Sequence, residues 1–206
     1  MRCSVEFLFI GLIGYLIGSV PFAYVIGKTF YGTDVRQHGS GNLGGSNTGR
    51  VLGAKAGVAV MTMDLLKVTA SYFIATLISA HPWAACWGAL CAALGHCYPI
   101  FVRFRGGKAV AAFYGFLFAL WICGGMGIWV FVVPLLTFLA VLAATKIVSL
   151  SSMISACTAG VYLWLMGAGT AVVSTAAICA GLIVLRHSGN IRRMIGGTER
   201  KISWMG

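Results

Sequence analysis

Charge is what this sequence has least of. Only 9% of its 206 residues are Asp, Glu, Lys or Arg, against about a quarter in soluble domains, which excludes a water-soluble globular fold. Acids are scarcer still, with Glu6, Asp34, Asp64 and Glu199 making up the whole complement. No histidine has an acid four or five residues further on, and no Gly-x-Ser-x-Gly elbow occurs, so a sequence-local His–carboxylate dyad and a covalent serine mechanism are both excluded. The seven cysteines form no Cys-x-x-Cys pair, and the four histidines have no His-Glu-x-x-His spacing. No metal is therefore expected, and the cysteines read as small apolar core groups. Internal repeats and low-complexity tracts are missing as well.

Apolar runs are abundant. Hydrophobic residues make up 59% of the chain and the mean hydropathy is +0.92. The runs last about 18 to 24 residues and do not alternate, which excludes an outer-membrane barrel. The pattern predicts an all-α integral membrane protein, a seven-transmembrane-helix bundle with spans near 7–26, 56–79, 83–102, 109–123, 127–144, 151–167 and 170–186. Its short loops leave room only for a single membrane-embedded domain over 1–206. The run at 7–26 has no A-x-A-like exit and reads as a retained span rather than a signal peptide. The stretch from Ala109 to Thr145 is too long for one crossing at 1.5 Å per residue, so it is divided at Gly124 and Gly125. Gly167 and Gly169 divide the last two spans, and His81-Pro82 the second and third.

Cations then orient the bundle, because cytoplasmic loops hold the excess of Lys and Arg. Thirteen of the fifteen fall in loops on one side; Arg2 lies opposite and Lys67 within a span. Seven spans with the N-terminus outside and the C-terminus cytoplasmic are the arrangement that separates them so. In a membrane-spanning chain the formal net charge of +11 points to membrane lipids with anionic headgroups or to phosphorylated substrates, not to nucleic acid.

Polar residues crowd at that same face. Five glycines lie between 39 and 49, where ordinary turns need fewer. Glycine lets backbone N–H groups converge on an anion, while Ser40, Ser46 and Thr48 add hydroxyls and Arg50 a bidentate fork. A phosphate cradle is the reading favoured over a flexible linker, since linkers rarely interleave Asn and Arg so densely. Gly106, Gly107 and Lys108 form a second Gly-Lys element, but Val102 breaks the Walker spacing and nucleotide hydrolysis is unsupported. Asp64 and Lys67 share a helix face within an apolar run; charges there pair with each other or line a polar cavity. His96 near a helix end, Ser149 at the start of the sixth span, and His187 with Asn190 beyond the last span complete the inventory, although His96 and Ser149 read equally well as helix-end or capping residues.

Four ordered motifs carry a resemblance: Gly39-Ser40-Gly41-Asn42-x-Gly44-x-x-Asn47-x-x-Arg50, Asp64-x-x-Lys67, Gly95-His96-x-x-Pro99 leading to Phe104-x-Gly106-Gly107-Lys108, and Arg186-His187-x-x-Asn190-Ile191-x-Arg193. Together they resemble the PlsY family, integral-membrane acyl-phosphate:glycerol-3-phosphate acyltransferases of bacteria, over essentially the whole chain. Gly45-Ser46, Val68 and Ala112 depart from the usual residues. The resemblance implies transfer of an acyl group from acyl phosphate to the 1-hydroxyl of sn-glycerol 3-phosphate, giving lysophosphatidic acid and inorganic phosphate, with no cofactor. It implies a multi-pass protein of the bacterial cytoplasmic (inner) membrane, a monomer or homodimer, with its active site on the cytoplasmic face. His187, Ser40 and Asn190 are then the expected catalytic residues. Gly41, Asn42, Gly44, Ser46, Asn47, Arg50, Asp64, Lys67, His96, Gly106, Gly107, Lys108 and Ser149 are the expected substrate-binding residues. The loop at 39–49 is expected to take the donor's phosphate, with Gly41 and Gly44 required sterically. Arg50 and Lys108, assisted by Asn190, are expected to hold the acceptor's phosphate, while His187 orients the hydroxyl and a phosphate oxygen takes the proton. The competing class is a small anion or phosphate transporter, since intramembrane charge and glycine-interrupted helices also occur there; the missing repeat argues against it.

Overall fold

The computed structural model describes residues 2–202, with side chains from Ser4 to Ile202. The expected domain limits at 1 and 206, and the side chain of Arg2, lie outside the described residues. Every regular element among the described residues is helical. In chain order these are α1 (Arg2–Gly18), α2 (Phe22–Tyr31), α3 (Gly45–Leu52), α4 (Ala54–Ile78), α5 (Ala84–Cys97), α6 (Val110–Ile122), α7 (Trp129–Thr145), α8 (Val148–Leu165), α9 (Thr170–Arg186) and α10 (Ser188–Ile195), with short 3-10 turns at Val35–Gln37 and Ile100–Val102. Four stretches are long and apolar enough to cross a membrane: Ser4–Tyr31, Ala54–Ile78, Ala84–Val102 and Val148–Leu165. The pair α9 and α10, bent by 57°, makes a fifth if counted as one span, and α6 and α7 are shorter apolar helices.

The chain divides into two compact units, one ending at Ala119 and one beginning at Leu120. In the first, α1 packs along α5 and α4. Gly14 and Gly18 make that approach possible, because a Cβ at either would collide with the carbonyl of Gly88 or of Ala92 on α5. Small residues four apart allow such backbone contact where lipid supplies no hydrophobic drive for association. The Tyr15 hydroxyl donates to the Tyr98 carbonyl at 2.8 Å and the Trp87 indole to the Phe7 carbonyl at 3.0 Å, fixing the register.

The expected span 7–26 is two helices. Pro21 has no N–H to donate and its ring would strike the carbonyl of Ile17 in a continuous helix, so α1 stops at Gly18 and α2 restarts at Phe22. Two further helices were not expected. α3 occupies the second half of the glycine-rich loop, and α10 forms from what reads in sequence as a basic tail.

In the second unit α7 and α8 form a hairpin about Lys146, whose φ of 60° lies in the left-handed region. Ser155 of α8 donates to the Pro134 carbonyl of α7 at 2.8 Å. α9 packs on α8, and beyond α10 the chain folds back until Ile202 N–H reaches the Lys146 carbonyl at 2.9 Å.

Candidate functional site

The loop between α2 and α3 is built around two buried polar side chains. Asp34 accepts from the Arg36 backbone N–H at 3.1 Å and pairs with its guanidinium at 2.7 Å; these bonds hold the Asp34 carboxyl below the usual carboxylate range despite burial. Asn47, 1% exposed, uses its whole amide inside the loop. Its oxygen accepts from the N–H and hydroxyl of Ser40 at 2.8 and 3.1 Å, and its nitrogen donates to the carbonyls of Val35 and His38 at 3.0 and 3.2 Å. Two donors and two lone pairs are all an amide has. Asn47, expected as a substrate contact, is therefore the brace of the loop. Thr48 likewise turns inward, its hydroxyl on the Gly44 carbonyl at 3.1 Å.

Ser40, Gly41, Ser46 and Arg50 are exposed around this brace, with Asn42 and Gly44 half-buried. Ser46 lies in the first turn of α3, where a helix leaves N–H groups without intrahelical partners and carries partial positive charge. The steric expectation holds at one glycine and not at the other. Gly41 has φ 68°, and a Cβ there would lie 3.1 Å from the Arg36 carbonyl. Gly44 is extended at φ −149° and a Cβ would meet only the Asn42 amide, at 3.1 Å, so its backbone does not demand glycine. Gly45 does, because a Cβ would run into Met61 and the Gly57 carbonyl of α4.

The second glycine element is seated on the end of α5. Gly106 N–H donates to the Cys97 carbonyl at 3.2 Å and Gly107 N–H to the His96 carbonyl at 3.0 Å. A Cβ on Gly106 would strike that His96 carbonyl, and one on Gly107 the His96 ring at Nε2. Arg103, Phe104 and Ala109 around it all have φ between 57° and 61°, a concentration of left-handed non-glycine residues that costs backbone energy. Lys108 is half-buried at its end.

Beneath this turn lies the intramembrane charge. Lys67 Nζ is 2.7 Å from Asp64 Oδ1 and 3.0 Å from the Val20 carbonyl at the α1–α2 break. His96 Nδ1 is 3.4 Å from the same Asp64 oxygen. All three are buried, at 2%, 6% and 6% exposure for Asp64, Lys67 and His96.

In the second unit the organising group is Glu199, to which the sequence reading gave no role. One of its oxygens accepts from the Ser149 hydroxyl at 2.8 Å and from the Asn190 amide, and the other from Arg193 Nε at 2.8 Å. Burial pushes its carboxyl up, but the hydrogen bonds from Asn190, Ser149 and Arg193 outweigh that and leave it below the usual range. Ser149 is thus a partner of Glu199 and not a cap of α8, whose N-cap is Ile147. The available signal was scarcity: Glu199 is one acid among five cations beyond position 185. His187, 4% exposed, joins α9 to α10. Its Nδ1 lies 2.8 Å from the Ile183 carbonyl. A carbonyl can only accept, so Nδ1 carries the proton in the neutral ring and Nε2 the lone pair.

Comparison with known proteins adds to this geometry. The model of the glycerol-3-phosphate acyltransferase family matches residues 8–197. Among named proteins, the glycerol-3-phosphate acyltransferase of Geobacillus kaustophilus (strain HTA426) is 44% identical over 203 residues, covering 95% of each chain. That of Listeria monocytogenes serovar 1/2a is 42% identical over 206 residues, covering 98% of this chain and all of the relative. Two crystal structures of PlsY, an integral membrane glycerol 3-phosphate acyltransferase, are similar: the glycerol 3-phosphate form at TM-score 0.88 and 35% identity, covering 96% of both chains, and the lysophosphatidic acid form at TM-score 0.86 and 33% identity, covering 96% of this chain and 95% of that one.

Proposed function

Because the chain belongs to the glycerol-3-phosphate acyltransferase family, we propose that its two glycine elements receive the phosphates of an acyl phosphate donor and of glycerol 3-phosphate. The observation that carries this reading is the braced loop. Asn47 spends its amide on holding Ser40, Val35 and His38 together, with both donors of Ser40 turned onto it, and the exposed Ser46 hydroxyl at the α3 N-terminus is the donor presented to an anion. Asn42, Ser46 and the backbone at Gly44 bind the donor's phosphate, while Ser40 and Gly41, whose donors are spent on Asn47 and the His38 carbonyl, shape the loop. Arg50 and Lys108 bind the acceptor's phosphate.

An acyl phosphate is a mixed anhydride, already activated, so orientation and charge stabilisation supply most of the catalysis. The 1-hydroxyl oxygen of glycerol 3-phosphate attacks the acyl carbon. The bond from that carbon to the phosphate oxygen breaks, inorganic phosphate leaves, and the hydroxyl proton passes to a phosphate oxygen. His187 orients the acceptor's 1-hydroxyl, whose single proton is left for the phosphate oxygen. Glu199 holds the Asn190 amide and the Ser149 hydroxyl in place.

The reading extends to topology: seven spans, counting α6, α7 and α9, with the N-terminus outside, the C-terminus cytoplasmic, and transfer at the cytoplasmic face of the bacterial inner membrane. Purified protein given acyl phosphate and glycerol 3-phosphate should release lysophosphatidic acid and inorganic phosphate in equal amounts. Counterflow of labelled phosphate in proteoliposomes without any acyl transfer would support a transporter, a class to which none of the relatives above belongs.

A further inference from the structure

The Asp64–Lys67 pair accounts for its own neutrality, but not for the histidine on the same oxygen. His96 Nδ1 lies 3.4 Å from Asp64 Oδ1, and the far side of the ring, at Nε2, is packed so tightly under Gly107 that no Cβ fits there. The His96 carbonyl also accepts the Gly107 N–H at 3.0 Å. The 106–108 turn therefore rests on His96 by its ring and by its main chain, with the Cys97 carbonyl holding Gly106 beside it. A ring held only from above could rotate about its Cβ–Cγ bond or change tautomer. A carboxylate accepting from Nδ1 prevents both, which is how outer partners commonly orient a functional imidazole.

We propose that Asp64 is a positioning residue for glycerol 3-phosphate binding. Through His96 it fixes the seat of the turn that presents Lys108, while Lys67 neutralises it and ties the α1–α2 break through the Val20 carbonyl. This rests on the reading of Lys108 as a ligand of the acceptor's phosphate. The cost of an uncompensated buried charge makes single substitutions uninformative, because they destabilise whatever the role; replacing both members of a buried pair is far better tolerated.

Two paired variants separate the roles. Asp64→Asn with Lys67→Met removes both charges but keeps an oxygen able to accept from His96, whereas Asp64→Leu with Lys67→Met removes that oxygen too. Melting temperature in detergent and the KM and kcat for glycerol 3-phosphate are measured for both. Positioning predicts that the Asn pair holds KM within about threefold of the parent and the Leu pair raises it about tenfold, with a smaller change in kcat. Equal KM in two folded pairs overturns the proposal. If either pair fails to fold, His96→Asn, which keeps a donor near the Nδ1 position, is compared with His96→Leu: a KM about tenfold higher in Leu than in Asn supports the proposal and equal values overturn it. Lys108→Ala is measured alongside; an unchanged KM there overturns the reading of Lys108, and is distinguishable because it leaves the difference between the Asp64 pairs standing.

Discussion

At His187 a backbone carbonyl does for an imidazole what a neighbouring carboxylate would otherwise do. The Ile183 carbonyl, one helical turn upstream, accepts from Nδ1 in the neutral ring and so fixes its tautomer. The sequence reading looked for a neighbouring carboxylate to fix the tautomer and found none, because a helix carbonyl four residues back is invisible as a motif. If His187 orients the hydroxyl without taking its proton, Gln, which can still donate a hydrogen bond but cannot act as a base, should preserve part of the function. His187→Gln is expected to retain turnover at least about tenfold above His187→Ala, measured as phosphate release at saturating substrates. Equal abolition in both, with loss of the imidazole ionisation from the pH profile of kcat, would make His187 the base. Glu199 yields a second residue-scale prediction. Its carboxyl titrates below the 4.5 of a free glutamate, so the stability it contributes is complete above about pH 4.5 and is lost as pH falls through its folded-state value. Melting temperature should fall on acidification below pH 4.5 in the parent, and should fall less in Glu199→Gln, which is already weakened at neutral pH. Parallel curves for the two proteins would remove Glu199 from the acid transition.

At the scale of elements, hydropathy located the apolar helices well and the polar ones not at all. The breaks expected at Gly124 and Gly125, at Gly167 and Gly169, and at His81-Pro82 all separate helices in the structure, because each pairs a turn former with a fall in hydropathy. The break at Pro21 escaped, since Ser4–Tyr31 keeps a mean hydropathy of 2.0 across it and an average over a window cannot see one missing N–H. α3 escaped for the opposite reason. Gly45, Ser46, Asn47 and Gly49 are poor helix formers, and the helix persists because Gly45 and Gly49 let it lie directly on Gly57 of α4. Its N-terminus turns half of an expected loop into a helix end braced against α4. The two glycines read alike in sequence should consequently behave differently. Gly41→Ala forces a side chain into φ 68°, a conformation costing about 1 kcal/mol or more, and should raise the KM for acyl phosphate several-fold. Gly44→Ala, on extended backbone, should stay within about twofold, a change that requires well under 0.5 kcal/mol. The reverse order in steady-state assays would contradict the loop geometry.

For the molecule as a whole, what decides function is which side of the membrane its polar loops face, and here charge counting and substrate chemistry lead to one arrangement. Loop cations fall almost entirely on one side of the expected spans, the side that retains Lys and Arg during insertion. In the proposed topology that side carries both glycine elements and the His187–Glu199 segment. A dianionic acceptor cannot cross hydrocarbon, whereas a donor with an acyl tail can approach along the bilayer, so the proposed reaction belongs where the two media meet. The proposed seven-span topology therefore makes one prediction for two separate units. Single cysteines placed by His38→Cys in the first unit and by Ser188→Cys in the second, on a chain whose own cysteines are replaced by alanine or serine, should both react with a membrane-impermeant maleimide only in inverted vesicles or after permeabilisation. Labelling of both from the outer side would invert the protein. Labelling of the two from opposite sides would mean an odd number of crossings between residues 38 and 188, which would remove one of the shorter helices, α6 or α7, from the set of spans and with it the placement of the two halves of the chemistry on one face.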